Sequence, residues 1–238
     1  MRITMKEETN KPLRKSKLPE QVFDQLMEWI MSGEIPMGSR LTTDDLAEKL
    51  GVSRMPVREA LAGLEVIGLA ETVPYAGTRL VKLSKKDIQE IYLARSALEP
   101  LAAKYACLYM TPEALSEIET LHEDYRAAVL KEEVDPLEVY ELNRKFHFAI
   151  YKVSGLKRIC EDIEKYWDNL AYFKSIYGQK LLQNDERKED MIREHQSYLD
   201  ALRTRQPEKI FAEQKKNLEK RAADIESYTD GYFDGDSE

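Results

Sequence analysis

Between Leu46 and Leu64 the chain carries two short runs of helical periodicity split by one glycine, and few folds satisfy that pattern. Leu46, Ala47 and Leu50 share a face of the first run; Val57, Ala60, Leu61 and Leu64 share a face of the second. Gly51 suits a left-handed helix end, and Ser53 stands where it can cap the next helix. Upstream, Val22, Leu26, Trp29 and Ile30 fall at i, i+4, i+7 and i+8, which predicts a helix from Pro19 that Gly33, Pro36 and Gly38 bring to an end. Downstream, the second helix runs to Gly68, after which Leu69–Val73 and Thr78–Leu83 read as strands turned by Pro74-Tyr75-Ala76-Gly77. Three helices followed by a β-hairpin make a winged helix-turn-helix over residues 18–83.

Burying Val57, Leu61 and Leu64 turns Arg54 and Arg58, spaced i and i+4, outward near the start of the third helix. A recognition helix enters the major groove by that end; arginine there can pair bidentately with guanine, and the helix N-terminus favours phosphate. The wing adds Arg79, with Gly77 permitting a tight tip. One exposed arginine is more often solvated than functional; the whole constellation of turn, cap, paired arginines and wing points to DNA. Net charge is −8, which by itself argues against a nucleic-acid partner. Its distribution changes that: residues 1–85 hold 13 Lys and Arg against 12 Asp and Glu, whereas residues 86–238 hold 23 against 32. DNA binding needs only a local basic surface. Residues 1–17, with Lys6, Lys11, Arg14, Lys15 and Lys17, read as a disordered basic arm, either touching phosphates or merely solvated.

Residues 84–229 read as almost purely helical. Ser84 opens the region, and Thr111-Pro112 and Asp135-Pro136-Leu137-Glu138 each set a capping residue before a proline at the first helical position, the latter also reading as a capping box. Gly155 separates two helices, Asn184 caps the fifth and Pro207 starts the sixth. The predicted spans are 85–109, 112–132, 136–153, 156–178, 185–204 and 207–228, with Pro100 kinking the first. The fold class is therefore mainly α: a winged helix-turn-helix followed by an all-α six-helix bundle, ending in a disordered acidic tail at 230–238. No apolar run approaches the ~20 residues of a membrane span. The N-terminus lacks an apolar signal segment, and Cys107 and Cys160 form no CxxC. A cytoplasmic protein without membrane partner or disulfide framework is expected.

Gly51-Val52-Ser53-Arg54-x-Pro56-Val57-Arg58-Glu59-Ala60-Leu61, with Glu65-x-x-Gly68-Leu69 and Gly77-Thr78-Arg79, resembles the GntR family of regulators across residues 18–83. The resemblance implies DNA contacts from Thr43, Ser53, Arg54, Arg58, Gly77 and Arg79. Asp44 stands where relatives often carry a basic contact, which a carboxylate cannot make to a phosphate, and Met55, a side chain without a hydroxyl, stands where they often carry threonine. Tyr92-Leu93-Ala94-Arg95-Ser96-Ala97-Leu98-Glu99-Pro100-Leu101-Ala102-Ala103, Asn143-x-x-Phe146-His147, Glu194-His195 and Ala212-x-x-x-x-Asn217-Leu218 resemble the FCD ligand domain of the FadR branch, in its shorter VanR-like form.

In that domain the positions of Asn143, His147, His195 and Asn217 usually hold Asp, His, His and His around a divalent metal, often zinc or nickel, that helps hold a carboxylate effector. Here two of the four donors are asparagine, and such cations favour the lost ligands. Three readings stand: a metal on His147 and His195, a metal-free polar pocket in which two amides and two imidazoles hold the effector, or satisfied buried polar groups. Arg95 is either an anchor for the effector carboxylate or the i+4 partner of Glu99. Tyr166, Phe173 and Tyr177 share one face of an aromatic fourth helix, and His122 matches no family position and reads as surface.

The function that follows is a sequence-specific DNA-binding transcription regulator, a repressor by resemblance. It would act as a homodimer on a short pseudo-palindromic operator, under control of a small-molecule carboxylate. Competing readings are a regulator without sensing and a metal-dependent enzyme in the helical domain. The second lacks a nucleophile triad or phosphate loop and leaves the DNA reader unexplained.

Overall fold

The structure, a computed structural model, describes residues 18–73 and 77–228. The arm at 1–17, the Pro74-Tyr75-Ala76 part of the wing turn and the tail at 230–238 lie outside the described residues. The head comprises α1 (Leu18–Met31), β1 (Arg40–Leu41), α2 (Thr43–Leu50), α3 (Arg54–Val66), β2 (Ala70–Val73) and β3 (Gly77–Leu80). Val22, Leu26 and Ile30 of α1 meet Val57, Leu61 and Leu64 of α3 over Leu69 and Leu80, forming one closed core. The strands are shorter than expected, and β1 was not expected at all. It exists by pairing with β3, Arg40 opposite Arg79 and Leu41 opposite Thr78, in an antiparallel sheet of order β1-β3-β2.

The turn between α2 and α3 has a definite cause. Gly51 adopts φ 66°, and the N–H groups of Gly51 and Val52 donate to the carbonyls of Glu48 and Ala47, which satisfies the last carbonyls of α2. Thr42 caps α2 by accepting from the Asp45 N–H. Ser53 occupies the cap position of α3 but makes no side-chain capping bond, contrary to expectation.

The second domain is built of α4 (Lys85–Tyr109), α5 (Pro112–Val129), α6 (Pro136–Val153), α7 (Lys157–Leu182), α8 (Asp185–Arg203) and α9 (Pro207–Tyr228). Ser84 and Asp87 form a reciprocal capping box on α4, while Thr111, Asp135 and Asn184 cap α5, α6 and α8. The box expected at Asp135 is incomplete, because the Glu138 carboxylate holds Lys131 instead. α4 continues through Pro100 as a single helix, laid along α9. α7 runs four residues beyond its expected end, through Gly178. A helical glycine costs ~1 kcal/mol, and burying Leu182 against Tyr125, Val129 and Val139 offsets it.

The domains meet where α1 rests on α7. Gly68 has φ +74°, and a Cβ there would strike the Asn169 amide of α7. Gly68→Ala should therefore destabilise the protein by about 1–2 kcal/mol from the backbone alone. Urea unfolding checks this, and an unchanged midpoint would contradict it.

Candidate functional site

The exposed face of α3 carries Arg54, Met55, Arg58, Glu59 and Ala62, opposite its buried face. Arg58 makes no hydrogen bond or ion pair among the described residues. Arg54 is held in a bidentate pair by Asp44 of α2, with Nε to Oδ1 at 2.6 Å and Nη2 to Oδ2 at 3.1 Å. Asp44 thus has a role its sequence position did not suggest: it orients the guanidinium at the start of the recognition helix. Thr43 begins α2 half-buried, beside the cap. Gly77 begins β3 at φ +84°, and Arg79 next along the strand donates from Nε to the Gly38 carbonyl at 2.5 Å. Arg40 faces Arg79 across the sheet, a basic residue the sequence reading passed over because β1 gave it no strand context. Glu65 accepts from the hydroxyls of both Thr72 and Thr78, tying the two wing strands to α3.

In the helical domain a cavity of about 490 Å³ is lined by residues from α4 to α9. Asn143, His195 and Asn217 are on its wall; His147 and Arg95 are not. Arg95 is buried in an ion pair with Glu99, Nε to Oε1 at 2.5 Å. Glu99 also accepts from Trp167 Nε1 at 2.8 Å and from the Tyr151 hydroxyl at 2.7 Å. Gln214 donates to that same hydroxyl. With its one hydrogen committed to Glu99, Tyr151 accepts from His147 Nδ1, 3.2 Å away. His147 is therefore the Nδ1–H tautomer, with its lone pair on Nε2. His195 donates from Nε2 to Asn143 Oδ1 at 3.0 Å, and its buried Nδ1 has no hydrogen-bond partner among the described residues. Asn217 donates to the Tyr198 hydroxyl at 2.8 Å, which donates to Glu194, itself paired with Arg221.

His122 corrects an expectation: it is 2% exposed, its ring 5.9 Å from those of Phe146 and His195. Ile118, His122, Tyr125 and Val129 recur at helical spacing on α5, a signal that would have placed it inward. Phe173 lines the cavity, whereas Tyr166 is not on its wall and packs against the apolar cluster that holds Phe173. The side chain of Tyr177 lies outside the described residues.

These donors do not fit zinc or nickel. The Asn143 oxygen is occupied by His195, and Asn217, which donates its amide N–H to Tyr198, has neither the charge of a carboxylate nor the nitrogen donor of an imidazole. Among the described residues no group of three or more His, Cys, Asp or Glu is arranged to hold a metal. Burial, and then the positive charges of Lys174, Arg95 and Arg221, hold His147 well below the usual histidine range. Burial, His147, His122 and Arg221 do the same to His195. Both imidazoles are neutral in the fold, whereas the unfolded chain takes up protons near pH ~6.5. Stability from this pair is thus complete above that value and is lost as pH falls below it. The melting temperature should drop between pH 7.5 and 5.5, and His195→Gln should flatten the drop; an equal slope would refute the assignment.

Residues 18–80 match the model for bacterial regulatory proteins of the gntR family, and residues 90–216 match the FCD domain. The chain belongs to the GntR family. Its FCD domain occupies most of the helical part, and both matched domains are those of transcription regulators rather than enzymes. This GntR regulator is 35% identical over 147 residues to the HTH-type transcriptional regulator McbR of Escherichia coli, 62% of this chain and 66% of that protein. It is 30% identical over 188 residues to the uncharacterized HTH-type transcriptional regulator YdhC of Bacillus subtilis, 79% and 82% of the two chains. The solved structure of E. coli McbR/YncC superposes with a TM-score of 0.73 at 27% identity, covering 90% of this chain and 99% of that one. No described helix is long and apolar enough to cross a membrane.

Proposed function

We propose that this GntR regulator is a cytoplasmic repressor, acting as a homodimer on a pseudo-palindromic operator, with operator affinity set by a small carboxylate in the helical-domain cavity. The observation carrying this reading is the solvent-facing Arg54–Arg58 pair on a helix whose opposite face is locked into the head's core. Thr43, Ser53, Gly77, Arg79 and Arg40 supply further phosphate contacts; the Ser53 hydroxyl, which makes no capping bond, can donate to phosphate. Dimerisation is supported by an exposed apolar stripe along α4, where Leu93, Leu108 and Tyr109 are half-exposed or more. Effector control is supported by the cavity, with Asn143, His195 and Asn217 on its wall, and by α7, which lines the cavity at Phe173 and meets the head at Asn169. A ligand that favours one placement of α7 would bias the head, provided it binds the two arrangements unequally.

Selection of bound sequences from a random DNA pool tests the first part. The expected product is a two-fold motif whose half-sites lie about one helical turn apart. An unstructured or single half-site product would sink the dimeric-operator reading.

A further inference from the structure

We propose that Lys174 takes over the role of the missing metal, so that the cavity captures an organic anion whose acidic group pairs directly with the Lys174 ammonium. This rests on the reading of the cavity as the effector site. Lys174 is on α7 and on the cavity wall. Its Nζ lies 3.8 Å from the centroid of the Trp167 ring, which attracts but does not neutralise it. No carboxylate among the described residues stands within 4 Å of it. The two carboxylates whose charge acts on it are already engaged: Glu99 by Arg95, Trp167 and Tyr151, and Glu194 by Arg221 and Tyr198.

Lys174 is only partly exposed, and an ammonium held on a cavity wall without a carboxylate beside it is costly. Burial first, then the charges of Arg95 and Arg221, press its pKa well below the lysine range, against the opposing pull of Glu99 and Glu194. An incoming anion would relieve that penalty. The rest of the wall agrees. It carries six Lys and Arg against four Asp and Glu, within a C-terminal part that is otherwise strongly acidic. Facing these charges are Tyr92, Tyr125, Phe173 and Ile225, which suit an aromatic or aliphatic body behind the acidic head. A lysine is a point charge with rotatable donors, so carboxylate, sulfonate and phosphate heads are all admissible. The same charges also repel a divalent cation, consistent with the loss of two metal donors at Asn143 and Asn217.

A matched pair of fluorescent probes tests this on the full-length protein: the anion 1-anilinonaphthalene-8-sulfonate and its uncharged analogue N-phenyl-1-naphthylamine. The parent should bind the sulfonate saturably and more tightly than the neutral probe, with EDTA having no effect. Lys174→Met should weaken the sulfonate by about tenfold or more and leave the neutral probe within about threefold, while Lys174→Arg should keep the preference for the anion. Sulfonate binding unchanged in Lys174→Met, equal losses for both probes, or abolition by EDTA would each overturn the proposal. Saturable binding without anion preference in the parent would overturn it and leave the effector cavity standing. Absence of saturable binding by either probe would remove both.

Discussion

Replacing Arg54 and Arg58 together with alanine is expected to abolish site-selective retention on the operator that the parent chain selects, while leaving the fold intact. Both side chains are exposed, and neither contributes to the core of Val57, Leu61 and Leu64 that holds α3 in place. Each bidentate arginine–guanine contact supplies about 1–3 kcal/mol of discrimination. Loss of both therefore removes roughly 2–6 kcal/mol, or about 30-fold to more than 10⁴-fold in affinity. That is comparable with the ~10³–10⁷-fold gap between specific and non-specific binding. Fluorescence anisotropy on operator and scrambled DNA measures it, with circular dichroism as the check on folding. Asp44 gives a second readout. Its bidentate hold on Arg54 limits the rotamers the guanidinium must lose on docking, so Arg54→Ala should weaken operator binding more than Arg58→Ala does. A doubly altered, folded chain that grips the operator as well as the parent would refute the DNA-reading assignment.

The largest stability effect is expected at Glu99. Its carboxylate accepts from Arg95, Trp167 and Tyr151, joining α4 to α6 and α7 in the middle of the bundle. Glu99→Ala would strand a buried guanidinium, one of whose nitrogens, Nη1, already lacks a partner, and would orphan an indole N–H and a phenol as well. Removing one member of a buried pair costs about 3–5 kcal/mol, a large part of the 5–15 kcal/mol that holds an ordinary domain folded. Chemical denaturation should show that loss. Arg95→Met combined with Glu99→Leu should recover part of it, because the isolated buried charge is gone. A double variant no better than Glu99→Ala would show that the hydrogen bonds from Trp167 and Tyr151, rather than the charge pair, carry the cost.

The local rules written into the sequence determined the elements and the outward face of α3. Gly51 dictates the turn, apolar spacing dictates which face of α3 is buried, and proline, asparagine and serine caps set five of the six helix starts in the second domain to the residue. These signals act within a few residues of one another, so they survive without knowledge of the rest of the chain. The family motif likewise named Asn143, His195 and Asn217, which do reach the cavity wall, though it could not say what each would touch.

What tertiary structure decided is everything that depends on helices meeting. Arg95 and Glu99 read equally as an effector anchor or a local pair until Trp167 and Tyr151 arrive from α7 and α6 to complete the carboxylate's partners. His122 turns inward because α5 and α8 face each other there, β1 exists because β3 offers it an edge, and Lys174 has no counter-ion among the described residues, Glu99 and Glu194 being bonded elsewhere. Periodicity reports which side of a helix leaves water; it carries no record of the partner on the other side. Hydrogen bonding and charge compensation inside a bundle are properties of that partner.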